Sequence, residues 1–267
     1  MKRALLIGIS YSDTAYTNID GAHNDVTRMK DLLTGLYGFD GGNITCLIDD
    51  DLISKDKQPI RQTIMDEMAS LINGAVAGDT FVFYYSGHGM QVRRTDSSGS
   101  NVIVENTIMP TDFVENGLID SVTISTQLLQ QVPVGATLLC LFDSCHSGSM
   151  GELEYNFVYA SPRMSTENIA KWGNHYVNWL RHEFIVNGSV MIFSSCLDQQ
   201  ESGDAKADGI FTSLLLQSLQ NYNHQATYRE VLKSVSCMAL LSGVTQRAQF
   251  SCSDMSLFDT CFLGSTT

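Results

Sequence analysis

Residues 80–89 read TFVFYYSGHG and residues 137–148 read TLLCLFDSCHSG. Each stretch is a run of aliphatic and aromatic residues that gives way abruptly to small and polar ones, the pattern of a strand buried on both faces and then released at a turn. If the two strands are parallel, both leave the sheet at the same edge. Each then delivers one reactive side chain, His88 or Cys145, to a glycine-flanked turn where backbone can approach a substrate closely. Working outward, similar short runs recur at Ala4–Ser10, Ile44–Ile48, Val190–Ser195 and Asp259–Leu263, so with Thr80–Ser86 and Thr137–Asp143 the expected strands number about six.

Segments of helical period lie between these runs. In Ala22–Leu36 the residues Val26, Met29, Leu32, Leu33 and Leu36 repeat at three- and four-residue spacing, with Gly38 as a stop. Ile60–Val76 repeats the pattern with Ile64, Met68, Leu71 and Ile72, after Pro59 at a helix start. Ile124–Val132, Phe211–Leu219 and Tyr228–Leu241 complete the expected helices. The alternation predicts an α/β fold, a mostly parallel sheet with helices on both faces and a site at the carboxyl ends of its strands. Two stretches break the rhythm: Arg93–Asn101 reads as a polar loop, and Met150 to about Asn187 as a long connection of the kind that is usually functional.

The 267 residues are 43% hydrophobic and 17% charged, enough apolar material for a sizeable core in one large domain. A formal charge of −13 and a pI near 4.7 repel phosphate backbones and attract cationic segments, which argues against nucleic acid as a partner. The seven cysteines, at 46, 140, 145, 196, 237, 252 and 261, form no C-x-x-C pair. They suit neither a disulfide framework nor a zinc site, and point to a reducing, cytoplasmic setting. Lys2-Arg3 before ALLIGIS imitates a signal peptide, but polar Tyr11–Asp20 follows without a cleavage site, so the run reads as a first strand. No run reaches the roughly 18 apolar residues that a membrane span needs, so no membrane partner is expected.

A thiol becomes a useful nucleophile near neutral pH when a base takes its proton, and imidazole suits that task. Cys145 is therefore read as the nucleophile and His88 as the general base and acid. The backbone N–H groups of Gly89 and Cys145 are natural donors to the oxyanion that attack on a carbonyl creates. His146 is the weaker base, because neighbouring side chains on an extended turn point apart. His23, His175, His182 and His224 lack any such setting.

YSGHG at 85–89 and FDSCHSG at 142–148 closely resemble the histidine and cysteine motifs of the metacaspases, including the bacterial orthocaspases, among the caspase-like cysteine peptidases. The likeness extends to ALLIGIS in the first strand, DGAHNDV at 20–26, GD at 78–79, MPTDF at 109–113, SSCLDQQES at 194–202 and GIFTSLLL at 209–216. It implies a caspase-like domain with a larger part over residues 1–149, a connecting loop over 150–187 and a smaller part over 188–267. It also implies an endopeptidase that cleaves after Arg or Lys through a thioacyl-enzyme. Asp25 and Asp143 match the acids that line the family's S1 pocket, and Ser86 matches a pocket-wall position. A carboxylate pair there complements a guanidinium or ammonium group.

The same resemblance implies self-cleavage in the connecting loop, for which Arg163, Lys171 and Arg181 are the candidate points. It implies a monomer, whereas animal caspases pair through an edge strand, here Phe258–Leu263. There are departures. Ala22 stands where many metacaspases carry a second cysteine. The acids that would hold the family's calcium are thin: Glu105, Asp120 and Glu152, with Asn106 and Ser121 where further acids are expected. Calcium takes six to eight oxygens, so calcium dependence is doubtful, and no cofactor is required for the chemistry. The alternative is a catalytically weak caspase-like scaffold that binds basic peptides; the intact histidine and cysteine motifs favour the enzyme.

Overall fold

The computed structural model describes residues 1–12, 18–54, 57–95, 102–145, 150, 153–159, 185–195, 209–243 and 247–264. In chain order the elements are β1 (Lys2–Gly8), α1 (Ala22–Leu36), β2 (Ile44–Ile48), α2 (Arg61–Ile72), β3 (Thr80–Ser86), β4 (Gly89–Thr95), β5 (Val102–Ile108), α3 (Phe113–Asn116), β6 (Ile119–Asp120), α4 (Ser121–Gln127) and β7 (Thr137–Asp143). They are followed by β8 (Tyr155–Val158), β9 (Ser189–Ser194), α5 (Ile210–Asn221), α6 (Tyr228–Leu241) and β10 (Gln249–Cys252).

Seven strands form one sheet in the order β2-β1-β3-β7-β9-β10-β8. The first five run parallel, and β10 is antiparallel to both β9 and β8. Because successive side chains alternate across a strand, the continuous apolar runs feed two separate cores. Leu6, Tyr84, Leu141 and Phe193 pack with α1, α5 and α6 on one face. Ile7, Phe83, Cys140 and Ile192 pack with α2 and α4 on the other. The chain leaves β1 in one direction to β2 and returns to β3 on the other side, and the carboxyl ends of strands at such a reversal are the usual ligand position in these sheets.

The parallel strands lie where the apolar runs placed them, with β2, β3 and β7 matching residue for residue. The sixth expected strand does not. Met255–Asp259 is a 3-10 turn, and Cys261 makes only an isolated bridge to Thr227. The apolar residues of that stretch serve the core instead: Phe258 stacks 4.0 Å from Phe157 and 5.2 Å from Phe250, and Phe262 is fully buried. The strand beside β9 is β10, and the sheet edge belongs to β8, within the expected long connection, not to Phe258–Leu263.

The expected polar loop at Arg93–Asn101 is partly strand. Arg93, Arg94 and Thr95 pair with Val104, Ile103 and Val102 in a small antiparallel sheet of β4, β5 and β6. The helix expected at Ile124–Val132 begins earlier, with Asp120 accepting the Thr123 N–H at its start, and gives way to a 3-10 turn at Leu129–Gln131. No helix among the described residues is long and apolar enough to cross a membrane.

Candidate active site

Ser86 and Asp143 are register partners, the last residues of β3 and β7. His88 and Cys145 each stand two residues farther on, so equal steps from a paired row bring them out side by side. The Gly87 N–H donates to the Asp143 carbonyl at 3.3 Å and carries the pairing one step past the strands. At Gly89 a Cβ would collide with the Cys145 carbonyl oxygen, so the two turns are in direct backbone contact and only glycine permits it. The Met109 N–H bonds the His88 carbonyl. In an antiparallel ladder this leaves the opposed Gly89 and Ile108 as a pair that exchanges no bonds, with the Gly89 N–H outside the ladder. From the next strand over, Ser195 Oγ donates to the Ser144 carbonyl at 2.9 Å and holds the cysteine turn. Cys145 is buried at 7% exposure and His88 is half-buried.

On the α1/α5 face of the same strand ends two carboxylates meet. Gly8 ends β1, and a Cβ there would lie 2.5 Å from the Ala22 carbonyl oxygen, so the first turn of α1 rests directly on the strand. That contact puts Asp25, 3% exposed, against the sheet. Its Oδ1 is 3.5 Å from the Arg28 guanidinium, which Ser213 Oγ holds at 2.8 Å. Its Oδ2 is buried with no hydrogen-bond partner among the described residues, and a Cβ at Gly209 would stand 2.9 Å from it. Burial and the negative charge of Asp143, partly offset by Arg28, push the Asp25 carboxyl up to about 7. Asp143 Oδ2 accepts the backbone N–H of Thr212 at 2.9 Å and its hydroxyl at 2.7 Å, and that hydroxyl is also 2.7 Å from the Tyr84 phenol. Ser86 is fully buried.

A family model described as metacaspase, peptidase C14 domain, matches residues 2–154, more than half of the chain. The chain belongs to the metacaspase family. It is a cysteine-type peptidase, a hydrolase. Among curated metacaspases it is 31% identical over 263 residues to metacaspase-2 of Trypanosoma brucei brucei, covering 94% of this chain and 73% of that one. It is 29% identical over 299 residues to metacaspase-1 of Schizosaccharomyces pombe, covering 96% and 69%. A solved structure of a protein from Geobacter sulfurreducens shares the fold with a TM-score of 0.68 at 20% identity, over 100% of this chain and 99% of that one.

Of the residues read from the sequence of this metacaspase, the structure gathers His88, Gly89, Cys145, Ser86, Asp143 and Asp25 at one end of the sheet. Thr212, which binds Asp143 twice, was not singled out, although it lies within the matching stretch GIFTSLLL. Tyr11 was missed too: its ring lies 4.6 Å from the His88 imidazole. Its only sequence signal was a place just past the first strand. His146, Glu152, Arg163, Lys171 and Arg181 lie outside the described residues.

The two described members of the expected calcium set, Glu105 and Asp120, are already engaged by a cation. Arg94, on β4, puts Nε 3.2 Å from Glu105 Oε2 and an Nη 3.2 Å from Asp120 Oδ2. Asp120 also caps α4 through the Thr123 N–H at 2.8 Å. A hard divalent ion needs six to eight oxygens, and these two acids face a guanidinium instead, so they fit calcium poorly. Among the described residues no group of three or more His, Cys, Asp or Glu side chains is placed to hold a metal.

Proposed function

We propose that this metacaspase cleaves peptide bonds after arginine or lysine through a Cys145–His88 dyad. The observation that carries the specificity is the burial of Asp25 and Asp143 together beside the cysteine turn, with one Asp25 oxygen left unbonded. Burying two acids in reach of each other's charge is costly unless a cation arrives, and a P1 guanidinium or ammonium brings one together with the N–H donors that the free oxygen lacks. Ser86 contributes to the wall of this S1 pocket, and Thr212 orients Asp143.

In the reaction His88 takes the Cys145 proton and the sulfur attacks the scissile carbonyl carbon. The oxyanion forms against the N–H groups of Gly89 and Cys145. Collapse breaks the C–N bond, and His88 returns its proton to the leaving amine, which departs and leaves a thioacyl-enzyme. Water, deprotonated by His88, then attacks the thioester carbonyl and releases the acid product and the thiol. Cleavage within 150–187, at Arg163, Lys171 or Arg181, follows from the same specificity. The chain acts as a monomer on proteins and peptides in a reducing, cytoplasmic setting; the six described cysteines are all free thiols. Calcium is not required for the chemistry, since Arg94 supplies positive charge between Glu105 and Asp120.

The test is turnover of fluorogenic peptides with Arg, Lys or Asp at P1, across a calcium titration, beside Cys145→Ala and His88→Ala. Arg and Lys turnover without calcium, lost in both variants, is the expected result. Preference for Asp overturns the S1 assignment, and no turnover at any calcium concentration favours a peptide-binding scaffold. Mass spectrometry of the purified chain beside Cys145→Ala reads the self-cleavage points.

A further inference from the structure

The segment that leaves β1 turns sharply at Tyr11, whose φ of 56° lies in the left-handed region that side chains other than glycine rarely occupy. Asp49, just past β2, holds it there. Its carboxylate accepts the N–H groups of Ser10 and Tyr11, each at 2.7 Å, and His23 Nε2 lies 2.6 Å from the same group. Backbone strain secured by dedicated hydrogen bonds clusters at functional sites. Here the turn throws the Tyr11 ring across the end of β3 to the histidine.

The Tyr11 hydroxyl accepts the His88 N–H at 3.1 Å, donates to the Met109 carbonyl at 2.6 Å and lies 3.0 Å from the Tyr85 hydroxyl. Tyr85 in turn donates to the His88 carbonyl at 2.8 Å. Both backbone polar groups of His88 are thus held by tyrosine hydroxyls, and the Tyr11 ring covers the imidazole at 4.6 Å with a tilt of 35°. A Cβ at Gly87 would lie 2.6 Å from the Tyr85 hydroxyl and 3.2 Å from that of Tyr11, so the pair also dictates the glycine before the histidine. Burial pushes the Tyr11 phenol well above its ordinary value, which keeps it neutral and able to donate and accept at once.

We infer that Tyr11 is a positioning residue for His88: its hydroxyl pins the histidine backbone and its ring fixes the orientation of the imidazole. The inference rests on the reading of His88 as the general base. A base that must meet first a thiol and then a leaving amine loses rate when its ring wanders, and small misplacements cost up to about a hundredfold. Because Tyr11 holds the histidine turn on the sheet face opposite the carboxylate pair, its removal should lower kcat and leave KM unchanged.

The experiment compares Tyr11→Phe and Tyr11→Leu by steady-state kinetics on an Arg peptide, and by the rate of Cys145 alkylation by iodoacetamide. Tyr11→Phe keeps the ring and should lose about tenfold in kcat, whereas Tyr11→Leu loses ring and hydroxyl and should fall about a hundredfold. KM should stay within about twofold of the parent and alkylation should slow in step with kcat. A lower melting temperature with unchanged kcat and alkylation rate means that Tyr11 is structural only and overturns the inference. Should Tyr11→Phe fail to fold, Asp49→Asn decides, since it leaves Tyr11 in place and loosens its turn; unchanged kcat there is equally fatal. Retained activity in His88→Ala instead defeats the underlying reading of the base, which keeps the two failures apart.

Discussion

The two faces of the sheet treat their polar groups in opposite ways at the ends of β3 and β7. On the α2/α4 face, Tyr11 and Tyr85 exchange hydrogen bonds with both backbone groups of His88 and with Met109, so each group in the network is held by its neighbours. On the α1/α5 face, Asp25 keeps a buried oxygen with no hydrogen bond among the described residues and lies within the field of a second carboxylate. A buried polar group left unbonded costs of the order of 1–3 kcal/mol and persists in a native structure only for a reason. On the proposed reading, the first face holds a group still and the second is completed by a cation that a substrate brings.

Breaking the contact between the two turns should have the largest effect. Gly89→Ala drives a Cβ into the Cys145 carbonyl, separates the histidine and cysteine turns and displaces the proposed oxyanion donor. We expect kcat to fall by about 10²–10³ with the fold intact by circular dichroism. Near-parental kcat in that variant would mean that the close approach is not needed.

Next comes the carboxylate face itself. On the proposed specificity, Asp25→Asn and Asp143→Asn would each remove a charge-assisted bond to the P1 cation, worth about 1.5–3 kcal/mol, and should cut kcat/KM on Arg peptides by about ten- to a hundredfold, mainly through KM. Peptides with an uncharged P1 should be barely affected by either change, and equal losses on both substrates would show that the carboxylates support the fold and not the specificity.

The acidity of Asp25 sharpens the same contrast. With its carboxyl at about 7 in the folded chain and near 4 when unfolded, the folded state holds the proton more tightly. Stability from this group is therefore greatest below about pH 4, declines as pH rises from about 4 to 7, and is level above that range. Chemical denaturation across pH should show this decline in the parent and its loss in Asp25→Asn. KM for Arg peptides should fall severalfold between about pH 6 and 8 as the carboxylate gains its charge, whereas a flat KM would place Asp25 outside the P1 site.

The smallest effect is expected away from both faces. Arg94 is 54% exposed, so its ion pairs are screened, and Arg94→Gln should cost no more than about 1 kcal/mol. The change frees Glu105 and Asp120, and thermal melts with and without calcium should then separate where those of the parent coincide. Coincident melts in the variant would leave Arg94 without a role as a stand-in cation.

The parallel strands were legible because each is a continuous apolar run ended by turn residues, a pattern that burial on both faces imposes. The errors fell where that pattern is absent or imitated. Gln249–Cys252 is too short and too polar to stand out, yet Phe250 and Cys252 complete the core. FDTCFL at 258–263 looks like a strand because its aromatics are buried, but Phe258 packs on β8 and β10 and Phe262 on Tyr37 and Tyr228 without joining the ladder. Arg93 and Arg94 read as loop because both are charged and exposed, one on each side of a small two-sided hairpin, so β4 lacks the apolar run of a buried strand.

By itself the sequence determined the α/β class and the family, and it named His88 and Cys145 as a candidate pair, since apolar runs and turn motifs are local and need no knowledge of partners. It also named Asp25 and Asp143 by resemblance. Only the tertiary structure decided that Ser86 and Asp143 stand in register, that Gly89 touches Cys145, and that one Asp25 oxygen is left unbonded. It alone put Arg94 between two expected calcium ligands and bent Tyr11 back over His88. Those facts depend on which residues distant in the chain share one volume, and register, close packing and buried charge exist only once the chain has folded.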